Sequence, residues 1–298
     1  MVVTRRFLIS IHAFAFALLV AGATTAAQDA PVLFVHGFCS AADTWDDTLP
    51  QLSTRRFGDH APRVYEGPGG KPTARTTLFS GSRTFRIDFS DLNGGFDLLA
   101  VAKVPIARKA GELKVIIEAM KKVTNSSKVI LIGHSLGGLA ARAYIQGAGV
   151  DKDGRTIPYG GDVAGLIMID TPNQGSALAF VSGFPKRDEC ILADTTNLRE
   201  LQPASSFLRD LNSRAWPAGT PVHSIVSNLT GTNSDGVVSI DSQDLTALSQ
   251  YQRTPEALRW QQAFDGKGIL HLRVHGEAAT VSLFSGIIAD IDAAQKRQ

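Results

Sequence analysis

One serine of this 298-residue chain stands where its side chain can act as a nucleophile. Ser135 follows the apolar run VILI and precedes a stretch rich in small residues, so a strand should lead directly into a helix here. A serine hydroxyl is a poor nucleophile unless it is exposed, correctly aimed and next to a base. A sharp strand-to-helix turn aims it, and Gly133 and Gly137 remove the side chains that would clash in such a turn. We therefore predict that Ser135 is a catalytic nucleophile; a coincidental glycine-rich turn is the alternative.

Attack on a carbonyl carbon places negative charge on the carbonyl oxygen, and fixed N–H donors must stabilise that charge. The N–H of Leu136, directly after the serine, is one expected donor because it lies at the N-terminus of the predicted helix. The second expected donor is the N–H of Phe38, in the loop after the first apolar run, where Gly37 lets the backbone bend. His36 lies in the same loop, and we expect it to have a structural role rather than to act as a base.

Short apolar runs alternate with segments of helical periodicity along the chain. This alternation is typical of an α/β protein with a mainly parallel central sheet flanked by helices. In such a sheet the carboxyl ends of the strands meet at one edge, where loops carry the functional side chains. The patterns predict strands at 32–35, 84–89, 128–132, 163–169, 222–227 and 269–274, and helices at 106–122, 136–146 and 281–293.

Two segments interrupt this alternation. Residues 60–82 are rich in Gly, Pro, Thr and Arg, and we interpret them as a surface excursion. Residues 176–216 join two predicted strands where a tight connection would suffice, and they carry apolar residues at helical spacing. Long connections in compact domains are often functional covers, so one interpretation is a lid or cap insertion and the other is an ordinary pair of packing helices.

The N-terminal segment 1–27 has the pattern of an export signal. Two arginines precede a nearly unbroken apolar stretch at 7–20, and small residues then offer cleavage after Ala23 or Ala27. We therefore predict a signal peptide, a single folded domain at 28–298 and a secreted or periplasmic location. A membrane-anchoring helix is the alternative, although the apolar stretch is short for a membrane span.

Composition argues against several kinds of partner. The two N-terminal arginines account for the formal net charge of +2, so the rest of the chain is neutral and has no basic stripe for nucleic acid. No HExxH, paired CxxC or clustered His/Asp pattern indicates a metal, and no cofactor is expected. The two cysteines, Cys39 and Cys190, would in an exported protein either form one disulfide or remain free thiols.

Several motifs resemble those of the lipase and esterase branch of the α/β-hydrolase family. PVLFVHGF, VILIGHSLGGLAAR and DTPNQGS match that branch in order and context, as does the downstream LQPASSFLRDLN…SDGVV. FRIDFSDLNGG, a helix and then GHSLGG…AR are also similar to GPI-inositol deacylase-type lipid esterases. The resemblance covers roughly residues 31–292. It implies an α/β-hydrolase fold, ester hydrolysis on lipid-like substrates, and the order nucleophile, acid, histidine along the chain.

The base should follow Ser135 and lie beyond the C-terminal end of a strand, with a carboxylate to orient it. His223 begins a predicted strand, which is the wrong end. His271 lies within the predicted strand 269–274, where we expect a buried core histidine. His275 follows that strand and precedes the final helix, and the family resemblance also puts the base there. His275 is therefore the predicted base.

Two aspartates are candidates for the acid. Asp235 lies in NSDGVV, after the predicted strand 222–227, and SDGVV matches the commoner position in the family. Asp170 ends the strand that comes after the strand of the nucleophile, and some lipases draw their acid from there. We predict Asp235 as the acid and Asp170 as its rival; an Asp-Gly surface turn without a catalytic role is the plain alternative.

Together these residues predict a serine hydrolase in which Ser135, His275 and Asp235 form a triad and an acyl-enzyme is the intermediate. The expected partner is a small-molecule or lipid ester, with transient contact with a lipid surface. An amidase or peptidase with the same triad, and a non-catalytic hydrolase scaffold used for binding, are the alternatives. The sequence makes no prediction of the oligomeric state.

Overall fold

A central sheet runs through the part of the chain that the computed structural model describes, namely residues 29–52, 61–74, 82–91, 93–177, 190, 193–248, 258–263, 265–267 and 269–297. Its strands are β1 (Val32–Val35), β2 (Arg63–Gly67), β3 (Lys71–Ala74), β4 (Thr84–Ile87), β5 (Val129–His134), β6 (Val163–Ile169), β7 (Val222–Leu229) and β8 (Leu258–Gln262). They lie in the order β3-β2-β4-β1-β5-β6-β7-β8. β2 and β3 are antiparallel, and the other neighbouring strands are parallel. The predicted α/β class is confirmed.

Helices cover both faces of this sheet. The described helices are α1 (Leu98–Ala102), α2 (Ile106–Thr124), α3 (Leu136–Ile145), α4 (Thr196–Glu200), α5 (Ser206–Ser213), α6 (Ile240–Gln243) and α7 (Ala278–Gln295). Along β1 the side chains alternate, with Leu33 and Val35 in a core shared with α2 and α3. Val32 and Phe34 belong to a second core, shared with α7. A sheet buried on both faces explains why its central strands are continuous apolar runs.

The predicted signal peptide at 1–27 lies outside the described residues. Within the part of the chain that is described, no helix combines the length and the apolar character that crossing a membrane requires. The first strand, β1, has the predicted bounds, and the final helix is longer at both ends than predicted.

The segment interpreted as a lid or as packing helices, 176–216, is described continuously from residue 193 onwards. Its helices α4 and α5 turn their apolar side chains inward, and Leu208 and Leu211 belong to the core shared with α2 and α3. The described part therefore packs as ordinary helices. A covering role for the whole segment stays a prediction.

The interpretation of 60–82 as a surface excursion is wrong for the residues that are described at its start. Residues 61–74 contain β2 and β3, which extend the sheet beyond β4. Val64 is fully buried and pairs with Ile87 of β4, so packing against a neighbouring strand outweighs the Gly- and Pro-rich composition of the flanking residues. Residues 75–81 lie outside the described part of the chain.

The predicted strand at 269–274 is also wrong. Two short turns of 3-10 helix, Leu270–Leu272 and Val274–Gly276, occupy this segment, while β8 takes the place beside β7 in the sheet. The first residue of each turn is fully buried in the core under α7. These two residues are four positions apart, which is a helical rather than an alternating spacing. His271 lies between these two buried residues, and its side chain points toward the carboxyl ends of the strands, where Ser135 lies.

A glycine in the first turn of α3 sets how closely this helix approaches the residues after β6. A Cβ at Gly138 would collide with Oγ1 of Thr171 and lie 2.9 Å from its Cγ2, and the threonine is fully buried and stiff. We therefore expect Gly138→Ala to lower the free energy of unfolding, measured by urea denaturation, by about 1–3 kcal/mol. Gly286→Ala on α7 is the matched control, because a Cβ there meets open space and alanine gains roughly 1 kcal/mol over glycine in a helix. Equal effects in the two variants would contradict this packing.

The loop after β1 contains a buried histidine. Nε2 of His36 accepts from the N–H of Phe89 at 3.3 Å, and its Nδ1 donates to the carbonyl O of Gly37 at 3.0 Å. Burial lowers the pKa of His36 from 6.5 to about 4, although the hydrogen bond to Gly37 and the Asp88 carboxylate act in the opposite direction. A neutral ring that joins two loops fits the structural role predicted for it.

Because His36 binds a proton more readily in the unfolded chain, its contribution to stability is present above pH 6.5 and is lost as the pH falls toward 4. We expect this group alone to lower the free energy of unfolding by about 2–3 kcal/mol between neutral pH and about pH 4.5. Urea denaturation of His36→Gln, whose side chain does not titrate, should therefore show a shallower loss over this range. Identical pH dependence in the variant and the wild-type protein would rule out a buried, neutral His36.

Candidate active site

Ser135 lies between the last residue of β5 and the first residue of α3, in the tight turn that the sequence predicts. Its φ is 53°, in the left-handed region that residues with a side chain rarely adopt, and such strain persists mainly at functional positions. The N–H of Ser135 donates to the carbonyl O of Ile169 at 2.9 Å, and the N–H of Gly138 donates to the carbonyl O of Ser135 at 3.0 Å. The turn thus fixes the hydroxyl at the carboxyl edge of the sheet.

An imidazole lies against this hydroxyl. Nε2 of His271 is 2.9 Å from Oγ of Ser135, and Nδ1 of His271 is 2.6 Å from Oδ2 of Asp235. All three side chains are buried, Asp235 completely. Because the carboxylate accepts the proton on Nδ1, Nε2 keeps its lone pair toward the hydroxyl, which is the tautomer that a general base needs. The arrangement can take the serine proton and stabilise the imidazolium that results.

Backbone hydrogen bonds hold His271 in this position. Its N–H donates to the carbonyl O of Asp235 at 3.1 Å, and its own carbonyl O accepts from Nε2 of His134 at 2.9 Å. His134 directly precedes the nucleophile, and its ring centroid lies 4.9 Å from that of His271. His271 is therefore positioned jointly by the turn that contains Ser135 and by the loop that contains Asp235.

Asp235 lies in the loop after β7, in a turn that supplies its own hydrogen-bond donors. Its Oδ1 accepts from the N–H groups of Val237 at 2.8 Å and Val238 at 2.7 Å, which leaves Oδ2 for the imidazole. Gly236 has a φ of 99°, a conformation that glycine adopts readily and other residues do not. The Asp-Gly turn, weighed above as a plain surface feature, is thus the device that orients a buried carboxylate.

The structure does not bring His275 to Ser135, so the placement expected for it is wrong. Nε2 of His275 is 3.2 Å from the carbonyl O of Leu272, and its Nδ1 is 3.4 Å from Oγ1 of Thr48. Its ring packs at 5.3 Å from that of Trp45. The physical reason is the 3-10 geometry of the segment, which turns the earlier histidine, not the later one, toward the nucleophile.

His271 escaped prediction because the letters LHLRV resemble a strand with the histidine inside it. The apolar residues Leu270 and Val274 also fit one turn of a helix, and that spacing is the signal that would have favoured His271. His223 lies at the amino-terminal end of β7, away from the carboxyl ends of the strands where Ser135 lies, as the sequence predicts.

The two residues predicted to stabilise an oxyanion flank Ser135. Leu136 is the first residue of α3. The loop that contains Phe38 passes directly against the nucleophile, because a Cβ at Gly37 would be 3.1 Å from Cβ of Ser135. Both backbone segments are thus next to the nucleophile, while the donor role of their N–H groups stays a prediction.

A disulfide joins Cys39, directly after this loop, to Cys190 in the segment 176–216. Of the two alternatives for the cysteines, the structure shows the bridge. The side chain of Phe38 packs against the bridge and against the core shared with α2 and α3. The disulfide therefore links the candidate oxyanion loop to the segment discussed as a lid.

The rival acid, Asp170, lies behind Asp235. It directly follows β6, is fully buried, and accepts from the N–H of Ser227 at 3.0 Å and from its hydroxyl at 2.5 Å. Burial raises the pKa of Asp170 well above its usual range, and the charge of Asp235 acts in the same direction, whereas the two hydrogen bonds from Ser227 act in the opposite direction. Since Nδ1 of His271 donates to Asp235, the three residues that the structure brings together are Ser135, His271 and Asp235.

Ligand atoms of Asp170, Asp235 and His271 lie within 4.8 Å of one another, a spacing that a metal ion could use. Both ring nitrogens of His271 are engaged, however, one by Asp235 and the other by Ser135. A metal would have to displace one of these partners. The set of donors and acceptors suits proton transfer better than metal binding.

Comparisons with known proteins agree with the fold. Among solved structures, the product of the gene lin2722 from Listeria innocua is 18% identical, with a TM-score of 0.56, and the match covers 86% of this chain and 92% of that one. The mature form of the lipase BlEst2 from Bacillus licheniformis is 16% identical, with a TM-score of 0.55 and coverage of 87% and 92%. At these identities the likeness shows the fold alone. Among curated proteins, none matches the sequence.

A family model described as the alpha/beta hydrolase family matches residues 32–282. The match spans most of the chain and includes the turn of Ser135, the loop of Asp235 and the segment of His271. This protein therefore belongs to the alpha/beta hydrolase family.

Proposed function

We propose that this protein is an exported serine hydrolase that cleaves carboxylic esters, with lipid-like acyl esters as its substrates. The observation that most directly supports the proposal is the pair of hydrogen bonds from His271, 2.9 Å to Oγ of Ser135 and 2.6 Å to Oδ2 of Asp235. The same arrangement of hydroxyl, imidazole and carboxylate performs acyl transfer on several unrelated folds. One protein of the same fold, BlEst2, is named a lipase, which makes esters the first substrate class to test.

In the proposed reaction, His271 accepts the proton of Ser135 while Oγ attacks the ester carbonyl carbon. Asp235 holds the ring and stabilises the imidazolium, and the N–H groups of Phe38 and Leu136 stabilise the oxyanion. The tetrahedral intermediate then expels the alcohol, which takes its proton from His271. Water, deprotonated by the same imidazole, attacks the acyl-enzyme, and Ser135 regains its proton as the carboxylic acid leaves.

Export is part of the proposal for two reasons. The N-terminal segment 1–27 has the charged, apolar and small-residue regions of a signal peptide. The bridge between Cys39 and Cys190 belongs in an oxidising compartment, because cytosolic thiols are kept reduced. Both observations support a secreted or periplasmic protein.

An amidase or peptidase could use the same three residues, because the geometry of the triad does not select the leaving group. The resemblance of the motifs to lipases and esterases favours esters. A non-catalytic binding scaffold would need no ordered nucleophile, base and acid, and here all three are in contact.

Replacing Ser135 with alanine should lower kcat/KM for a p-nitrophenyl ester by a factor on the order of 10⁴ or more, because the nucleophile is lost. A fluorophosphonate probe should label the wild-type protein and fail to label Ser135→Ala. The matched control is Ser282→Ala, which removes an exposed hydroxyl on α7 and should leave both activity and labelling unchanged.

The same assay tests the substrate class. Esters from acetate to palmitate should be hydrolysed with a preference for longer acyl chains, and the matching anilides should react far more slowly. Near wild-type activity in Ser135→Ala would end the serine-hydrolase proposal, and activity confined to acetate and butyrate would exclude lipid-like substrates.

Replacing His271 and replacing His275 should have very different effects on kcat/KM. His271→Asn should lower kcat/KM by a factor on the order of 10⁴, since it removes the base, whereas His275→Asn should cost less than about tenfold. His275 contacts Thr48 and Leu272 rather than the nucleophile. Circular dichroism should show that both variants are folded; a folded His275→Asn as inactive as His271→Asn would mean that the base has been assigned to the wrong residue.

A further inference from the structure

Two carboxyl groups lie side by side behind the imidazole. Asp170 and Asp235 are both fully buried, and their oxygens lie within 4.8 Å of each other and of a ring nitrogen of His271. Repulsion between two buried carboxylates this close favours a proton on one of them.

The other hydrogen-bond partners assign this proton to Asp170. Asp235 accepts three bonds from N–H groups, two from the backbone of its own turn and one from Nδ1 of His271. Each of these N–H groups can only donate, and each donated hydrogen bond stabilises the charged form of the carboxylate. Asp170 accepts from one N–H and one hydroxyl of Ser227, and a hydroxyl can accept as well as donate. Burial, which raises the pKa of Asp170, acts in the same direction.

A side-chain amide keeps the two carboxyl groups in a fixed relative position. The N–H of Ser227 is shared between Oδ1 of Asp170 at 3.0 Å and Oε1 of Gln243 at 2.8 Å. Nε2 of Gln243 donates at 2.9 Å both to the carbonyl O of Ser227 and to that of Val238, whose N–H binds Asp235. Gln243 therefore connects the residue that orients Asp170 to the turn that orients the catalytic acid.

We propose that Asp170 is a positioning residue, a neutral carboxylic acid that donates a hydrogen bond to the Asp235 carboxylate and holds it against His271. The proposal rests on the proposed function, because Asp170 acts on the reaction only through Asp235. It differs from the role of rival acid, since the proton on Nδ1 of His271 goes to Asp235 and not to Asp170.

A hydrogen bond donated to Asp235 fixes the orientation of this carboxylate toward Nδ1 of His271. Without the bond, that orientation is less well held. Asp235 also loses one of the contacts that aim it. Asp235 and His271 each place an atom within 4.8 Å of a carboxylate oxygen of Asp170, so the effect of this residue should be measured on the reaction that they carry out.

Asp170→Asn and Asp170→Gly distinguish a neutral donor from a charged group. Both replacements tolerate the φ of 46° at this position. Asparagine keeps a donor toward Asp235 and an acceptor toward Ser227 but carries no charge. We expect kcat/KM of Asp170→Asn for a p-nitrophenyl ester to stay within about threefold of the wild-type value.

Asp170→Gly lacks the donor. Its kcat should fall by a factor on the order of ten or more with little change in KM, because the loss is in the positioning of Asp235 and not in substrate binding. A loss in Asp170→Asn as large as that in Asp170→Gly would overturn the proposal, because the site would then require a negative charge at this position. Wild-type kinetics in a folded Asp170→Gly would overturn it as well. If the glycine variant does not fold, the asparagine variant still decides between a neutral and a charged Asp170.

Infrared spectroscopy tests the proton without any substrate. The difference spectrum between the wild-type protein and Asp170→Asn at neutral pH should contain the C=O stretch of a protonated carboxyl group. Taking the difference isolates this band from that of Glu112, whose pKa burial raises to about 7. Absence of the band overturns the proposal whatever the activity. If Ser135→Ala keeps wild-type activity while the band is present, the proposed function fails and the assignment of the proton to Asp170 is still supported.

Discussion

The hydrogen bond between Ser135 and His271 joins side chains that are 136 residues apart, so the site depends on the fold to bring them together. Proton transfer needs the hydroxyl and the imidazole within hydrogen-bonding distance, and the segment of the imidazole is held there by hydrogen bonds to residues distant in sequence. His134, directly before Ser135, donates from its Nε2 to the carbonyl O of His271. The N–H of His271 donates in turn to the carbonyl O of Asp235. The segments of Ser135 and Asp235 thus both position His271 through hydrogen bonds to its backbone.

Burial makes these contacts mutually dependent. A buried polar group without a partner costs about 1–3 kcal/mol, so the aspartate, the imidazole and the hydroxyl are stable inside the protein only because they satisfy one another. Asp235 is fully buried and accepts from its own turn as well as from His271. The same contacts that remove the cost of burial also fix the tautomer of the imidazole. Stability and chemical competence at this site therefore have one physical origin.

The features that the sequence predicts correctly are those that depend on local pattern. The strands β1 and β6 are fully buried and appear as apolar runs, and the turns at Ser135 and Asp235 use glycines at fixed offsets. The places of Ser135 and Asp235 in the site could both be predicted for that reason. The place of the imidazole could not, because LHLRVHG fits a strand followed by His275 as well as it fits the 3-10 turns that present His271. Only the burial of Leu270 and Val274 under α7 decides between the two, and that contact is not local.

The strands at the two sides of the sheet also depend on contacts that local sequence patterns do not show. β2 and β3 have weak strand patterns, and it is pairing with β4 and burial of Val64 that make them strands. β8 joins the sheet beside β7 although its residues are only half-buried or exposed. Edge strands acquire their structure from the neighbour that they extend, so composition alone misjudges them.

The disulfide adds a constraint that no local pattern contains. Cys39 directly follows the loop of Phe38, and its partner Cys190 is 151 residues further along the chain. Closing so long a loop restricts the unfolded chain, and the chain-entropy description gives a stabilisation of about 5 kcal/mol. In the folded state the bridge holds the backbone beside Ser135, where an oxyanion donor is useful only if it is in place before charge develops. An oxidising compartment therefore supports both the stability of this chain and the geometry of its proposed site.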